Sequence, residues 1–89
     1  MDKNYIQTPD LKIGDVINRD SGGYTMTILA FESIEPQPFS SFIWYSFLVI
    51  SNIDPYENPV YRHRFYQSEW HLVIDNIGEE KAAILLEES

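Results

Sequence analysis

His63 and His71 are the only imidazoles in this chain. With Glu69 or Asp75 close by in sequence, they raise two kinds of chemistry, a metal site and an acid–base pair. Neither pattern is complete. The spacing matches no metal-ligand pattern, and no helical stretch sets the two rings one turn apart. Cysteine is absent, which removes thiolate zinc sites, cysteine nucleophiles and disulfides. Ser40, Ser41, Ser46 and Ser68 lack the surroundings of a nucleophile elbow. The paired glycines of "DSGGY", Gly22 and Gly23, would need a lysine and a following helix to cradle a phosphate. The stretch leads instead into a strand pattern, so the glycines are read as supplying the positive φ angles of a hairpin turn. No catalytic residue, metal ligand or cofactor is therefore assigned. A small-ligand pocket around His63, His71 and Trp70 is the one reading left in this class.

Binding chemistry is better represented. "VYRHRFYQ", residues 60–67, interleaves arginines with aromatic rings, as single-strand nucleic-acid binders do when they place stacking platforms beside phosphate contacts. A net charge of −8 opposes that use. Arg62 and Arg64 are read instead as partners of acidic neighbours, or as guards against edge-to-edge strand pairing. Thirteen of the 89 residues are Phe, Tyr or Trp, more than one small core can bury, so some rings should face solvent. Tyr, Trp and Arg dominate protein–protein contacts. The residues assigned to partner binding are accordingly Tyr45, Tyr56, Tyr61, Arg62, Arg64, Tyr66 and Trp70, with the carboxylates Glu79 and Glu80.

The elements that must position these residues read mainly as β. Residues 1–10 are polar apart from Tyr5 and Ile6, and form an arm or an edge strand. Ile13–Arg19 and Tyr24–Ser33 flank the glycine turn as two arms of a hairpin. In the second arm, alternation sets Tyr24, Met26, Ile28 and Ala30 on one face, and Thr25, Thr27, Leu29 and Phe31 on the other. "EPQPFSS", residues 35–41, is a proline loop. "FIWYSFLVIS", residues 42–51, is apolar on both faces, as suits a central strand, a barrel strand or one whose outer face meets a partner. A second proline loop, 52–59, precedes a strand at 60–66, with Arg62, Arg64 and Tyr66 opposite Tyr61, His63 and Phe65. "QSEW" is read as a single helical turn, and extended structure resumes over 71–75. The tail from 78 to 89 carries helix formers and the acidic first-turn residues Glu79 and Glu80, so a short acidic helix is expected, with a last strand over 82–86 as the alternative.

Eighty-nine residues make a single domain. Five short strands punctuated by Gly and Pro predict a small SH3-like five-stranded barrel with a short C-terminal helix. The charge is uneven: residues 75–89 carry Asp75, Glu79, Glu80, Glu87 and Glu88 against Lys81 alone. The longest apolar run, Phe42 to Ile50, falls short of the roughly 20 residues that a membrane helix needs, and the N-terminus shows no signal-peptide pattern. A cytoplasmic protein with no membrane contact is expected.

The stretch "LKIGDVINRDSGGYTMTILAF", residues 11–31, resembles the opening hairpin of the YodC-like family of small bacterial and phage proteins. Gly14, Asp15 and Val16 match its "GDVV" strand, Ser21, Gly22 and Gly23 its turn, and Met26 and Thr27 its "MTV" strand. Tyr24 stands where the family commonly has proline. The resemblance implies a small β-barrel and carries no activity.

Together these readings point to a non-enzymatic module that docks on a protein with a basic surface, as a monomer or a homodimer. A phage-encoded inhibitor of a host nucleic-acid machine, RNA polymerase or a defence nuclease, is the form that fits this size and acidity. The alternative is a single-stranded nucleic-acid-binding barrel using the strand at 60–67.

Overall fold

The structure, a computed structural model, describes residues 5–19, 24–51 and 60–88. Six strands form one antiparallel sheet: β1 (Tyr5–Gln7), β2 (Asp15–Asn18), β3 (Thr25–Pro36), β4 (Ile43–Ser51), β5 (Tyr61–Tyr66) and β6 (Trp70–Asn76). A 3₁₀ turn over Thr8–Asp10 follows β1, and the helix α1 (Glu79–Glu87) closes the described chain. The spatial order is β1-β6-β2-β3-β4-β5. β2 to β5 form a meander, and β6 returns to pair with β2. This is the small, mainly β, barrel-like fold that the sequence predicts, with its C-terminal helix in place of the alternative strand. The strand count is six rather than five, because Tyr5–Gln7 adds to β6 as an edge strand. "QSEW" holds a turn at Gln67 and Ser68 before β6, without a helical element.

The core lies inside the curved sheet. Ile17, Met26, Ile28, Phe47, Val49 and Phe65 form one buried cluster, edged by Leu11, Ile13, Tyr24, Tyr45 and Val73. These residues recur at every second position of β4, as Tyr45, Phe47 and Val49, and of the first part of β3, as Met26 and Ile28, as a half-buried strand requires. β3 then departs from simple alternation. Its register against β4 shifts between Ile28 and Ala30, and again between Phe31 and Ser33. Each shift inserts one extra β3 residue, and such bulges reverse the phase of the side chains beyond them. Phe31, which alternation alone places with Thr25, Thr27 and Leu29, instead lies opposite Phe47 and stacks edge-on against it at 5.5 Å.

No ladder joins the sheet's two edges, β1 and β5, among the described residues. Thr8 bridges them. Its amide donates to the Glu69 carbonyl at 3.1 Å, and its hydroxyl donates to the Tyr66 carbonyl at 2.6 Å. The same oxygen lies 2.9 Å from His71 Nε2. Since the Thr8 proton goes to Tyr66, His71 serves as the donor in that contact, which fixes its neutral tautomer with the proton on Nε2.

At the other end, β2, β6 and α1 meet in a polar knot. The Gly14 amide donates to the Ile28 carbonyl at 2.7 Å, and the Ile77 amide donates to the Gly14 carbonyl at 2.9 Å. Asn76 Nδ2 donates to the buried Asp15 carboxylate at 2.8 Å, while its Oδ1 accepts from the Gly78 amide. Gly14 and Gly78 both have positive φ, 94° and 89°. α1 leaves this knot and packs against β3, burying Ala82.

Candidate partner-binding surface

Alternation along β5 separates two chemistries. Arg62, Arg64 and Tyr66 point outward, while His63 and Phe65 face the interior row, where Phe65 lies 6.0 Å from Phe47. On the outer face the arginines reach across β4 to β3. Arg62 pairs with Glu32, and Arg64 pairs with Glu35 at 3.2 Å. The expected pairing with acidic neighbours is thus present. The Arg64 guanidinium also lies 5.0 Å from the centre of the Trp44 ring. Trp44 in turn stacks on Tyr66 at 4.1 Å, and Tyr66 meets Phe42 at 5.1 Å. The result is a continuous row, Arg64, Trp44, Tyr66, Phe42, in which Trp44 and Tyr66 each have a neighbour on both sides, while Phe42 ends the row and is 57% exposed.

That arrangement bears on stacking. A base needs an open ring face, yet Phe65 is fully buried and Tyr66 lies between Trp44 and Phe42. The residues proposed for a nucleic-acid strip are split between the two faces of β5.

Behind β5, Arg19 closes the gap toward β6. Its guanidinium lies over the Phe65 ring at 5.2 Å and pairs with Glu69 at 3.2 Å. His63 and His71 lie on either side of this plug, each with its ring 4.6 Å from Phe65. Burial pushes both imidazoles below their ordinary pKa. Arg19 lowers each further, and Glu69 opposes the shift. Tyr61 sits at the same opening, its hydroxyl 3.4 Å from that of Tyr24. Burial, followed by that contact, pushes it up to about 12. Trp70 does not join the histidines: it is 61% exposed, whereas its neighbour His71 is buried. Among the described residues no three His, Asp or Glu side chains group as a metal site.

The β3–β4 hairpin carries the apolar surface. Its tip is closed by the Gln37 amide donating to the Phe42 carbonyl, and by the Phe42 amide donating to Ser40 Oγ at 2.9 Å. Phe39, at the tip, is 99% exposed, and Phe42, Ile34 and Phe31 are each about half exposed. Below the tip, on the inner side, a cleft of about 400 Å³ is lined by Leu11, Ile13, Phe31, Tyr45 and Phe47, with Lys12 and Glu79 at its rim.

The partner-binding residues expected from sequence therefore do not form one patch. Arg62, Arg64 and Tyr66 share the outer row. Tyr45 and Glu79 border the cleft, Tyr61 sits at the β5–β6 opening, Trp70 stands alone at the start of β6, and Glu80 lies in the first turn of α1. Tyr56 lies outside the described residues, as do Gly22 and Gly23. The flanks of that glycine pair are arms of a hairpin, with the Arg19 amide donating to the Tyr24 carbonyl at 2.8 Å.

Sequence reasoning passed over Phe31, Phe39 and Phe42. Phe39 in "EPQPFSS" is a usable signal, because a large apolar residue in a proline loop has no strand to bury it. The position of Phe31 depends on bulges that no local pattern announces. Comparison with protein-family models, curated proteins and solved structures finds no match to this chain. No helix among the described residues is long and apolar enough to cross a membrane.

Proposed function

We propose that this chain is a non-enzymatic protein-binding module that docks through its β3–β4 hairpin on a partner with a basic surface. The observation that carries this reading is the concentration of exposed large apolar side chains, Phe31, Ile34, Phe39 and Phe42, on one hairpin. Exposed apolar surface concentrated in this way, on the tip and both faces of one hairpin, marks interaction sites. Charge supplies the partner's sign. The arginines at 19, 62 and 64 are each paired with a glutamate, while the acidic residues of α1 and its flank have only Lys81 among them. The most specific form of the reading is a phage-encoded inhibitor that covers the anion-binding face of a nucleic-acid enzyme, such as RNA polymerase or a defence nuclease.

The test is capture from a nuclease-treated bacterial lysate at low and high salt, using wild type and a Phe39→Ser/Phe42→Ser variant side by side. A stoichiometric protein that is retained by wild type, released by salt and lost with the variant is the expected result. Recovery of nucleic acid alone without nuclease treatment, insensitive to the hairpin substitutions and lost in Arg62→Ala, overturns it in favour of the β5 strip.

A further inference from the structure

We infer that the cleft beneath the β3–β4 hairpin is an anchor site for one large apolar side chain of a protein partner, presented on a segment whose flanking residues are lysine or arginine. The inference rests on the docking reading above and gives it a second, separable site.

Three observations converge on the cleft. The first is composition. Phe31, Tyr45 and Phe47 meet at ring distances of 6.2 and 5.5 Å, with Leu11 and Ile13 opposite. At about 400 Å³ the space falls at the lower end of the range of small-molecule sites. It suits a side chain rather than a folded element.

The second is the construction of β3. The register shift between Ile28 and Ala30 turns Phe31 from the face that alternation predicts onto Phe47 and Tyr45. Bulges re-aim side chains beside functional sites. Here one of them brings an aromatic ring to the cleft and leaves it 48% exposed. Folding buries about half of this ring, and a partner that covers it gains the remaining exposed half.

The third is charge. Glu79 and Lys12 both line the cleft, and Asp10 and Glu80 adjoin them in sequence, so together with Lys81 the neighbourhood carries one more negative than positive charge. The chain's net charge of −8 adds a long-range field that draws a basic segment and repels an acidic one. The same field opposes a second copy of this chain, which would bring an equal negative charge with its own exposed Phe39.

A displayed library of random short peptides, selected on the immobilised full chain, tests the assignment. The expected enrichment is for a large apolar residue flanked by Lys or Arg. A synthetic peptide of that consensus should shift the amide resonances of Leu11, Ile13, Phe31 and Tyr45. Its affinity should fall by roughly tenfold or more in Phe31→Ser and by a smaller factor in Glu79→Lys, with no change in Phe39→Ser. Glu79 is exposed in the first turn of α1, so Glu79→Lys should keep the wild-type melting transition; Phe31→Ser gives up ring contacts to Phe47 and Tyr45 and should melt lower while staying folded, and Glu79→Lys carries the test if it does not. Failure of any peptide to enrich overturns the inference, as does enrichment that survives both cleft variants. Concentration-dependent dimerisation abolished by Phe31→Ser overturns it too, by showing a second copy as the occupant. Capture of a lysate protein that is lost in the Phe39/Phe42 variant but kept in Phe31→Ser leaves the docking reading standing and removes only the cleft. Peptides that load the cleft while no lysate protein is retained do the reverse.

Discussion

Thr8 shows how much one small side chain can hold. Fully buried, it joins β1 to the β5–β6 turn through its amide and hydroxyl, and it accepts the His71 Nε2 proton. Replacing it with valine keeps the shape and leaves the Tyr66 carbonyl and the His71 ring without that partner. A buried polar group stripped of its bond costs about 1–3 kcal/mol, so Thr8→Val should lower unfolding stability in urea by that order. A loss under about 0.5 kcal/mol would mean that the sheet edges are held elsewhere. His71 gives a pH prediction at the same spot. The folded ring has a pKa below that of the unfolded ring, because burial, Arg19 and His63 disfavour its charge more than Glu69 favours it. Above both values the imidazole is neutral in either state and contributes no pH dependence. As pH falls below about 6.5, the unfolded chain takes up the proton first, and stability drops until the folded value is reached. His63 follows the same sign, lowered by burial and Arg19. Unfolding free energy, and melting temperature with it, should therefore fall between pH 7 and pH 5, the free energy by at most about 1.4 kcal/mol per pH unit for each histidine. His71→Gln should flatten that slope. An unchanged slope in the variant would assign the acid sensitivity to other groups.

At the scale of elements, the junction of β2, β6 and α1 depends on a backbone that only glycine adopts without strain. A Cβ on Gly14 would sit 2.9 Å from the Gly78 amide nitrogen and 3.0 Å from its carbonyl oxygen, both backbone atoms, and φ there is already +94°. Gly78 shares the positive φ but has open space around its missing side chain. Gly14→Ala should thus cost about 2 kcal/mol or more, from strain plus collision, and Gly78→Ala about 1–2 kcal/mol from strain alone. Urea midpoints of the two variants check the order, and a milder effect at Gly14 would show that the knot relaxes freely. Much of this architecture was legible in the chain. Strict alternation over Tyr61–Tyr66 set the two faces of β5, and the Glu-led tail became α1 as its helix formers suggest. Phe31 was not legible, because a bulge is decided by the pairing of β3 with β4 rather than by local pattern. Nor was the closure by Thr8, which joins positions far apart in sequence through one hydroxyl. The assigned partner residues scattered for a related reason: composition tells how many rings must be exposed, while register decides which ones share a surface.

Across the whole molecule, attraction and repulsion act over different distances, and salt separates them. The chain spans 38 × 34 × 24 Å and carries a net charge of −8. At about 10 mM salt the screening length is roughly 30 Å, so nearly every carboxylate feels every other; at about 150 mM it shrinks to about 8 Å. The arginine–glutamate contacts of Arg19 and Arg64, at 3.2 Å, are shorter than either length. Added salt therefore weakens the long-range repulsion far more than it weakens these contacts, of which the exposed Arg64 pair contributes little in any case. Thermal stability should rise as salt goes from about 10 to about 150 mM. Neutralising Glu79, Glu80, Glu87 and Glu88 as glutamines should reduce the gain, because it removes half of the net charge. Binding to a basic partner should move the opposite way, since the field that destabilises the folded chain is the one that draws the partner in. The decisive comparison is melting temperature and partner affinity measured on one salt series. Stability rising while affinity falls fits a docking module governed by its acidic surface. Stability that falls with salt would instead place the main electrostatic contribution in the ion pairs across β3, β4 and β5, and a partner affinity indifferent to salt would leave the hairpin's apolar residues as the whole of the attraction.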